Sequence, residues 1–195
     1  MKRLFVLLLA LVLFVGVTAV LSSCDGASSE ELRFRKRSDG VYAVDIGNIK
    51  RSTLEIPATY KGKAVVEIVD FDRGKGASGT MLESVIIPDS VTSISDYAFR
   101  GCSNLKSITL PEGLTRIGRS AFSGCTSLTS LTIPESVTFI GDSAFENCTG
   151  LANITISGSD ARISDLAFSG CTNLSYREYG NAYYLGNEAN PYAVL

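Results

Sequence analysis

Residues 82–104 read LESVIIPDSVTSISDYAFRGCSN, and residues 105–173 repeat that pattern as LKSITLPEGLTRIGRSAFSGCTS, LTSLTIPESVTFIGDSAFENCTG and LANITISGSDARISDLAFSGCTN. The step is 23 residues, with no insertion or deletion. Apolar residues stand in columns. Leu82, Leu105, Leu128 and Leu151 open the units, followed by Val85, Ile108, Leu131 and Ile154, then Ile87, Leu110, Ile133 and Ile156, then Ile94, Ile117, Ile140 and Ile163. A Phe column (Phe99, Phe122, Phe145, Phe168) and a Cys column (Cys102, Cys125, Cys148, Cys171) complete each unit. A 23-residue unit cannot bury such a face alone, whereas stacked units continue every column into the next turn. The expected fold is a β-rich solenoid with one unit per coil.

Within a unit, the I-T-L or L-T-I segment alternates inward and outward as a strand does. Its outward positions are Ser84 and Ile86, Ser107 and Thr109, Ser130 and Thr132, and Asn153 and Thr155. Pro88, Pro111 and Pro134 end that strand, because proline has no N–H for a ladder. A second short apolar stretch ends at Ile94 and its equivalents, the Ala-Phe step turns inward, and Gly-Cys-Thr or a variant closes the coil. Parallel rungs are expected about 4.8 Å apart. The fourth unit has Ser157 in place of proline and Asp160-Ala161 in place of Val-Thr, which predicts a looser turn there.

The consensus LxxIxIPxxVxxIGxxAFxxCxxL resembles the BspA-type leucine-rich repeat of bacterial surface proteins. The resemblance is strong over 82–173. It extends weakly over 41–81, where Tyr42–Ile46, Leu54–Pro57 and Tyr60–Val65 look like a divergent N-terminal capping repeat. Residues 174–195 begin another rung at Leu174 and then depart. They are read as a divergent or truncated C-terminal rung, with Tyr183, Tyr184 and Leu185 as candidates for a cap. The resemblance implies a non-catalytic protein that adheres to host, matrix or other cells.

The N-terminus carries a different message. Lys2 and Arg3 precede the apolar run LFVLLLALVLFVGVTAV at 4–20, and small residues follow, as in a secretory signal. Leu21-Ser22-Ser23-Cys24 resembles the lipobox of bacterial lipoproteins. Residues 1–23 are therefore expected to be a lipoprotein signal peptide, with Cys24 as the lipidated residue and the membrane as a partner through that anchor. Residues 24–40 are polar and unperiodic and read as a flexible tether, including the basic run Arg33-Phe34-Arg35-Lys36-Arg37. The expected location is the cell envelope, with the outer surface favoured over the periplasm. Asp25, directly after Cys24, keeps an alternative open, because in some bacteria that residue favours inner-membrane retention. The protein would then be a periplasm-facing scaffold binding an envelope partner.

Composition narrows the chemistry. The chain has no His, so Ser-His-Asp, Cys-His and HExxH arrangements are absent. No enzyme activity and no cofactor are expected. A formal charge of −2 without a basic field argues against nucleic acid. The four repeat cysteines lie one per rung along a line, so they cannot converge on a tetrahedral metal and are expected to be buried free thiols. Gly74-Lys75-Gly76-Ala77-Ser78-Gly79 spells GxGxxG, but no helix can follow it before Val85, so a loop is expected. Asp70-Phe71-Asp72 starts like a calcium loop and lacks the later acidic ligand. The outward strand positions remain as the candidate face for a protein ligand.

Overall fold

The computed structural model describes residues 32–47, 49–72, 74–158, 161–164 and 166–174, together with the backbone of 177–179, 182–187 and 190–194. Five strands precede the repeats: β1 (Arg33–Lys36), β2 (Tyr42–Asp45), β3 (Thr53–Glu55), β4 (Thr59–Tyr60) and β5 (Lys63–Val69). Each repeat then supplies a pair. The pairs are β6 (Ser84–Ile86) with β7 (Ser93–Ile94), β8 (Ser107–Thr109) with β9 (Arg116–Ile117), β10 (Ser130–Ile133) with β11 (Phe139–Ile140), and β12 (Asn153–Ile156) with β13 (Arg162–Ile163). Strands β14 (Arg177–Tyr179), β15 (Ala182–Asn187) and β16 (Asn190–Val194) follow.

The first strand of each repeat stacks on its neighbours to make one face, and the second strand makes another. On the first face β3, β6 and β8 pair in parallel, with Leu54, Val85 and Ile108 in register. On the second face β5, β7, β9, β11 and β13 pair in parallel, with Ile68, Ile94, Ile117, Ile140 and Ile163 in register. The structure is thus a β-solenoid, and residues 41–81 add a divergent rung at one end: β3 continues the first face and β5 the second. A hairpin between β4 and β5 and the loop after β5 make that rung longer than the repeats.

The columns fill the space between the faces. Phe99, Phe122, Phe145 and Phe168 stack with centroids 5.1, 5.2 and 5.2 Å apart and planes within 3° of parallel. That spacing is the strand repeat with a slight offset, so each ring is locked by the rungs on either side. The turns carrying the rings are tied rung to rung as well: Phe99 N donates to Ala121 O, Phe122 N to Ala144 O and Phe145 N to Ala167 O, at 2.7–2.8 Å.

Two recurrent backbone features explain the turn sequence. Gly101, Gly124 and Gly170 have φ of 75–77°, and Asn147, which replaces glycine in the third unit, has φ 57°. Asparagine is the side chain that tolerates this left-handed region best after glycine. Four residues earlier, Tyr97, Ser120, Ser143 and Leu166 also have positive φ, of 49–65°. Leu166 gains nothing in return, because it is 58% exposed. Leu166→Asn is therefore expected to stabilise the solenoid by about 0.5–1 kcal/mol by relieving that strain, read as a higher urea midpoint at unchanged slope.

The four repeat cysteines are free and buried. The thiols of Cys125, Cys148 and Cys171 donate to the carbonyls of Phe99, Phe122 and Phe145 in the preceding rung at 3.3, 3.1 and 3.1 Å. Burial pushes the Cys102 thiol up to about 12. The hydrogen bond to the Cys125 sulfur, and then burial, raises Cys148, and the bond to Cys148 raises Cys171. Thiolate, not thiol, is the nucleophile. Iodoacetamide at pH 8 is expected to leave all four unmodified in the folded protein and to label them on addition of denaturant. Peptide mapping by mass spectrometry distinguishes them from Cys24.

Two expectations need correction or relocation. The tether assigned to 24–40 does not extend to 40, because β1 (Arg33–Lys36) pairs antiparallel with β2 and joins the second-face sheet. Leu32 is buried, and Phe34 stacks on Tyr60 at 4.0 Å, so two apolar residues among the charges supply the anchor. The stretch Arg33–Arg37 is thus a sheet edge and its flank. Strands β14–β16 form an antiparallel meander rather than another parallel rung, with the backbone of β15 beside β12. Cys24 and Asp160 lie outside the described residues.

Candidate binding face

The residues chosen from the sequence sit where strand alternation puts them. Val85, Ile108 and Leu131 point into the core, while Ile86, Thr109, Thr132 and Thr155 face out. The ladder is not continuous, however. Among the described residues β3, β6 and β8 form one sheet, β10 and β12 another, and no backbone ladder joins β8 to β10. A groove of about 290 Å³ lies over this break.

Six of the eight chosen residues line that groove: Ser107 and Thr109 from β8, Ser130 and Thr132 from β10, Asn153 and Thr155 from β12. Ser84 and Ile86 do not; they lie on β6, on the far side of β8. Leu110, Pro134 and Glu112 complete the rim. The groove offers hydroxyls, one amide and one carboxylate, with backbone groups at the facing edges of β8 and β10 left free of a strand partner. An extended peptide presents matching donors and acceptors, so the arrangement suits polar recognition of polypeptide. Among the described hydrogen bonds, none joins its hydroxyls to the Glu112 carboxylate.

The other motifs resolve into structural roles. The GxGxxG stretch wraps the Asp70 carboxylate: Gly74 N and Gly76 N donate to Asp70 Oδ2 at 2.6 and 2.9 Å, and Asp72 N donates to Asp70 Oδ1 at 2.8 Å. Its amides are thereby occupied by the chain's own anion. The loop also closes the Phe and Cys columns. Cys102 Sγ lies 3.9 Å from Ala77 O and accepts from Thr80 Oγ1 at 3.7 Å, so Ala77 and Thr80 take the places that Phe and Cys hold in the repeats. Asp72 pairs with Arg33 at 2.9 Å, and that hydrogen bond holds the Asp72 carboxyl below its ordinary range.

Asp45 is a residue whose importance the sequence did not signal. It is buried, accepts from Gly47 N at 2.7 Å and from Phe71 N at 2.9 Å, and pairs with Arg33. One carboxylate thus fastens β1, the turn after β2 and the loop after β5.

Comparison with known proteins agrees with this architecture. Residues 77–191 match the BspA type leucine rich repeat region in six copies, more than half of the chain. No curated protein matches. Among solved structures, a leucine rich repeat protein of T. pallidum is 26% identical with a TM-score of 0.57, covering 75% of this chain and 78% of that one. A leucine rich cell surface protein from Faecalibacterium prausnitzii A2-165 is 26% identical with a TM-score of 0.51, covering 82% of this chain and 58% of that one. A leucine-rich repeat protein from Bacteroides capillosus ATCC 29799 is 28% identical with a TM-score of 0.53, covering 66% of this chain and 95% of that one. With the repeat columns, the stacked rungs and the family match in agreement, the chain belongs to the BspA-type leucine-rich repeat family.

Proposed function

We propose that this protein is a lipid-anchored, non-catalytic binding module of a bacterial cell surface, attached through Cys24 and displaying the first strand face to protein ligands on host, matrix or other cells. The observation that carries the reading is the groove over the β8–β10 break, which gathers six outward side chains from three successive rungs. Family membership supports a scaffold rather than an enzyme, and the F. prausnitzii relative, named as a cell surface protein, supports display. Affinity would come from many modest polar contacts along a stiff face.

The test is surface plasmon resonance against immobilised extracellular-matrix proteins of an animal host. Thr132→Arg places a long charged side chain in the middle of the groove. It is expected to weaken binding about tenfold or more, in line with steric and charge exclusion at an interface centre. Binding that is unchanged by Thr132→Arg would remove the strand face from the reading.

A further inference from the structure

The Arg and aromatic residues that the first face lacks are gathered on the second. Arg33 and Arg35 alternate along β1, so their side chains share one face of that strand, and Arg37 follows directly after it. The outer two are engaged: Arg33 with Asp45 and Asp72, Arg37 with Asp39 and Glu67. Arg35 has no carboxylate partner among the described residues. Its guanidinium instead stacks 4.1 Å over the Phe71 ring. The same arrangement recurs further along the sheet, where Arg116 stacks 4.4 Å over Phe139. Arg162 stands beside Phe139 in register on β13, exposed and likewise without a carboxylate partner among the described residues.

Between these pairs lies a second groove, of about 500 Å³, whose lining includes Arg35, Phe71, Tyr97, Arg116, Glu67 and Asp96. Its acids are already satisfied. Glu67 accepts from Arg37 and from Ser95 Oγ, and Asp96 accepts from Arg119 N at 2.8 Å and faces Arg116 at 3.7 Å. Asp70, also in the lining, is held by the amides of Gly74 and Gly76, and Arg35 is the guanidinium of the groove without a carboxylate partner among the described residues. Stacking fixes its plane while leaving its N–H fork free, which is the state ready for bidentate capture of a carboxylate.

We propose that this second face binds an acidic, partly apolar peptide segment of a partner protein, with Arg35 holding a carboxylate and Phe71, Tyr97 and Phe139 taking the apolar side chains. The carboxylates of Glu67, Asp70 and Asp96 along the groove decide the class of partner. Engaged with Arg37, with backbone amides and with Arg116 respectively, they leave Arg35 as the groove's one guanidinium without a carboxylate partner among the described residues, which suits a peptide whose acids are spaced by apolar residues rather than a uniformly sulfated or phosphorylated polymer. Arg with aromatic side chains is also the composition in which binding energy concentrates at protein interfaces. The surface is separate from the first strand face and stands or falls independently of it.

The experiment is fluorescence anisotropy with the detergent-solubilised full chain and a fluorescein-labelled twelve-residue peptide of alternating Glu and Leu. A Lys–Leu peptide and a heparin oligosaccharide serve as competitors. The Glu–Leu peptide is expected to bind, to weaken as salt rises, and to lose about tenfold or more in affinity with Arg35→Glu. Arg162→Glu, which breaks no ion pair described for the chain, is expected to weaken it severalfold, and Thr132→Arg on the first face to leave it unchanged. Arg35→Gln covers the case in which Arg35→Glu disturbs β1; it is expected to lose affinity at unchanged melting temperature. The proposal is overturned if the native protein does not bind the Glu–Leu peptide, if Arg35→Gln and Arg162→Glu both bind normally, if Thr132→Arg abolishes binding, or if heparin displaces the peptide more effectively than unlabelled peptide does.

Discussion

Replacing Phe122 by Ala is expected to lower the unfolding free energy by about 3–5 kcal/mol, the cost of deleting a fully buried ring and leaving a cavity. The ring is 0% exposed and lies between Phe99 and Phe145, so the deletion removes two ring stacks and opens the space between three rungs. Single domains are stable by only about 5–15 kcal/mol, so the loss consumes a large part of the total. The solenoid makes the consequence distinctive. Each rung contacts only its neighbours, so weakening a central interface uncouples the two ends. Denaturant unfolding followed by circular dichroism is expected to show a lower midpoint with a broadened or two-step transition. Phe122→Leu, which refills most of the space, is expected to cost about 1.5 kcal/mol or less and to keep one transition. Equal, small losses for the two variants would mean that the Phe column does not couple the rungs.

Asp45→Ala is expected to cost about 2–4 kcal/mol, chiefly because two amide donors lose their acceptor, at about 1–3 kcal/mol for a buried one, while the half-exposed Arg33 loses one of its two carboxylates. The magnitude follows from what is left behind. The substitution strips acceptors from Gly47 N and Phe71 N and leaves Arg33 with Asp72 alone. Asp45→Asn keeps the shape and one acceptor oxygen but removes the charge facing Arg33, and is expected to fall between Ala and the native residue. Because Asp45 joins β1 and the loop after β5 to β2, the damage is expected to be local first. Hydrogen exchange should speed up in residues 33–45 and 68–77 before the repeats loosen. Uniform loss of protection along the chain would show that the cap is not a separate unit.

The contrast between these two residues measures what the sequence made visible. Phe122 was legible because its column recurs every 23 residues, and a column that must be buried in every rung leaves a period in the text. Asp45 occurs once, and its partners are Gly47, Phe71 and Arg33, drawn from three segments that only the fold brings together. The same reasoning covers β1. Its charge density read as a tether, yet Arg33, Arg35 and Arg37 at alternate positions, with Leu32 and Phe34 between and before them, were already a period-of-two signal. The outward positions of the first face followed from strand alternation. The break between β8 and β10 did not, since both strands carry the same repeat pattern, and it is over this break that the six groove residues gather, leaving Ser84 and Ile86 beyond β8. The left-handed turn at Asn147 is carried by the residue type that tolerates it best after glycine, whereas Tyr97 and Leu166, four residues before the glycine column, are not of that type.

The second face was hidden for a similar reason. Arg35, Phe71, Tyr97 and Arg116 come from four different elements, and no repeat column contains more than one of them. Arg116 and Arg162 share a column with Ser93 and Phe139, so that column reads as variable along the chain. In the fold that variability becomes an alternation of guanidinium and aromatic ring.

The most direct measurement is protease shaving of intact cells that produce the native chain, beside cells producing Cys24→Ala. Surface display through a lipid predicts that the native protein fractionates with membranes and is cut on intact cells, while the Cys24→Ala form is released from the membrane fraction. A native protein that remains membrane-bound but is cut only after the envelope is opened would contradict surface display and place the binding faces toward an envelope partner.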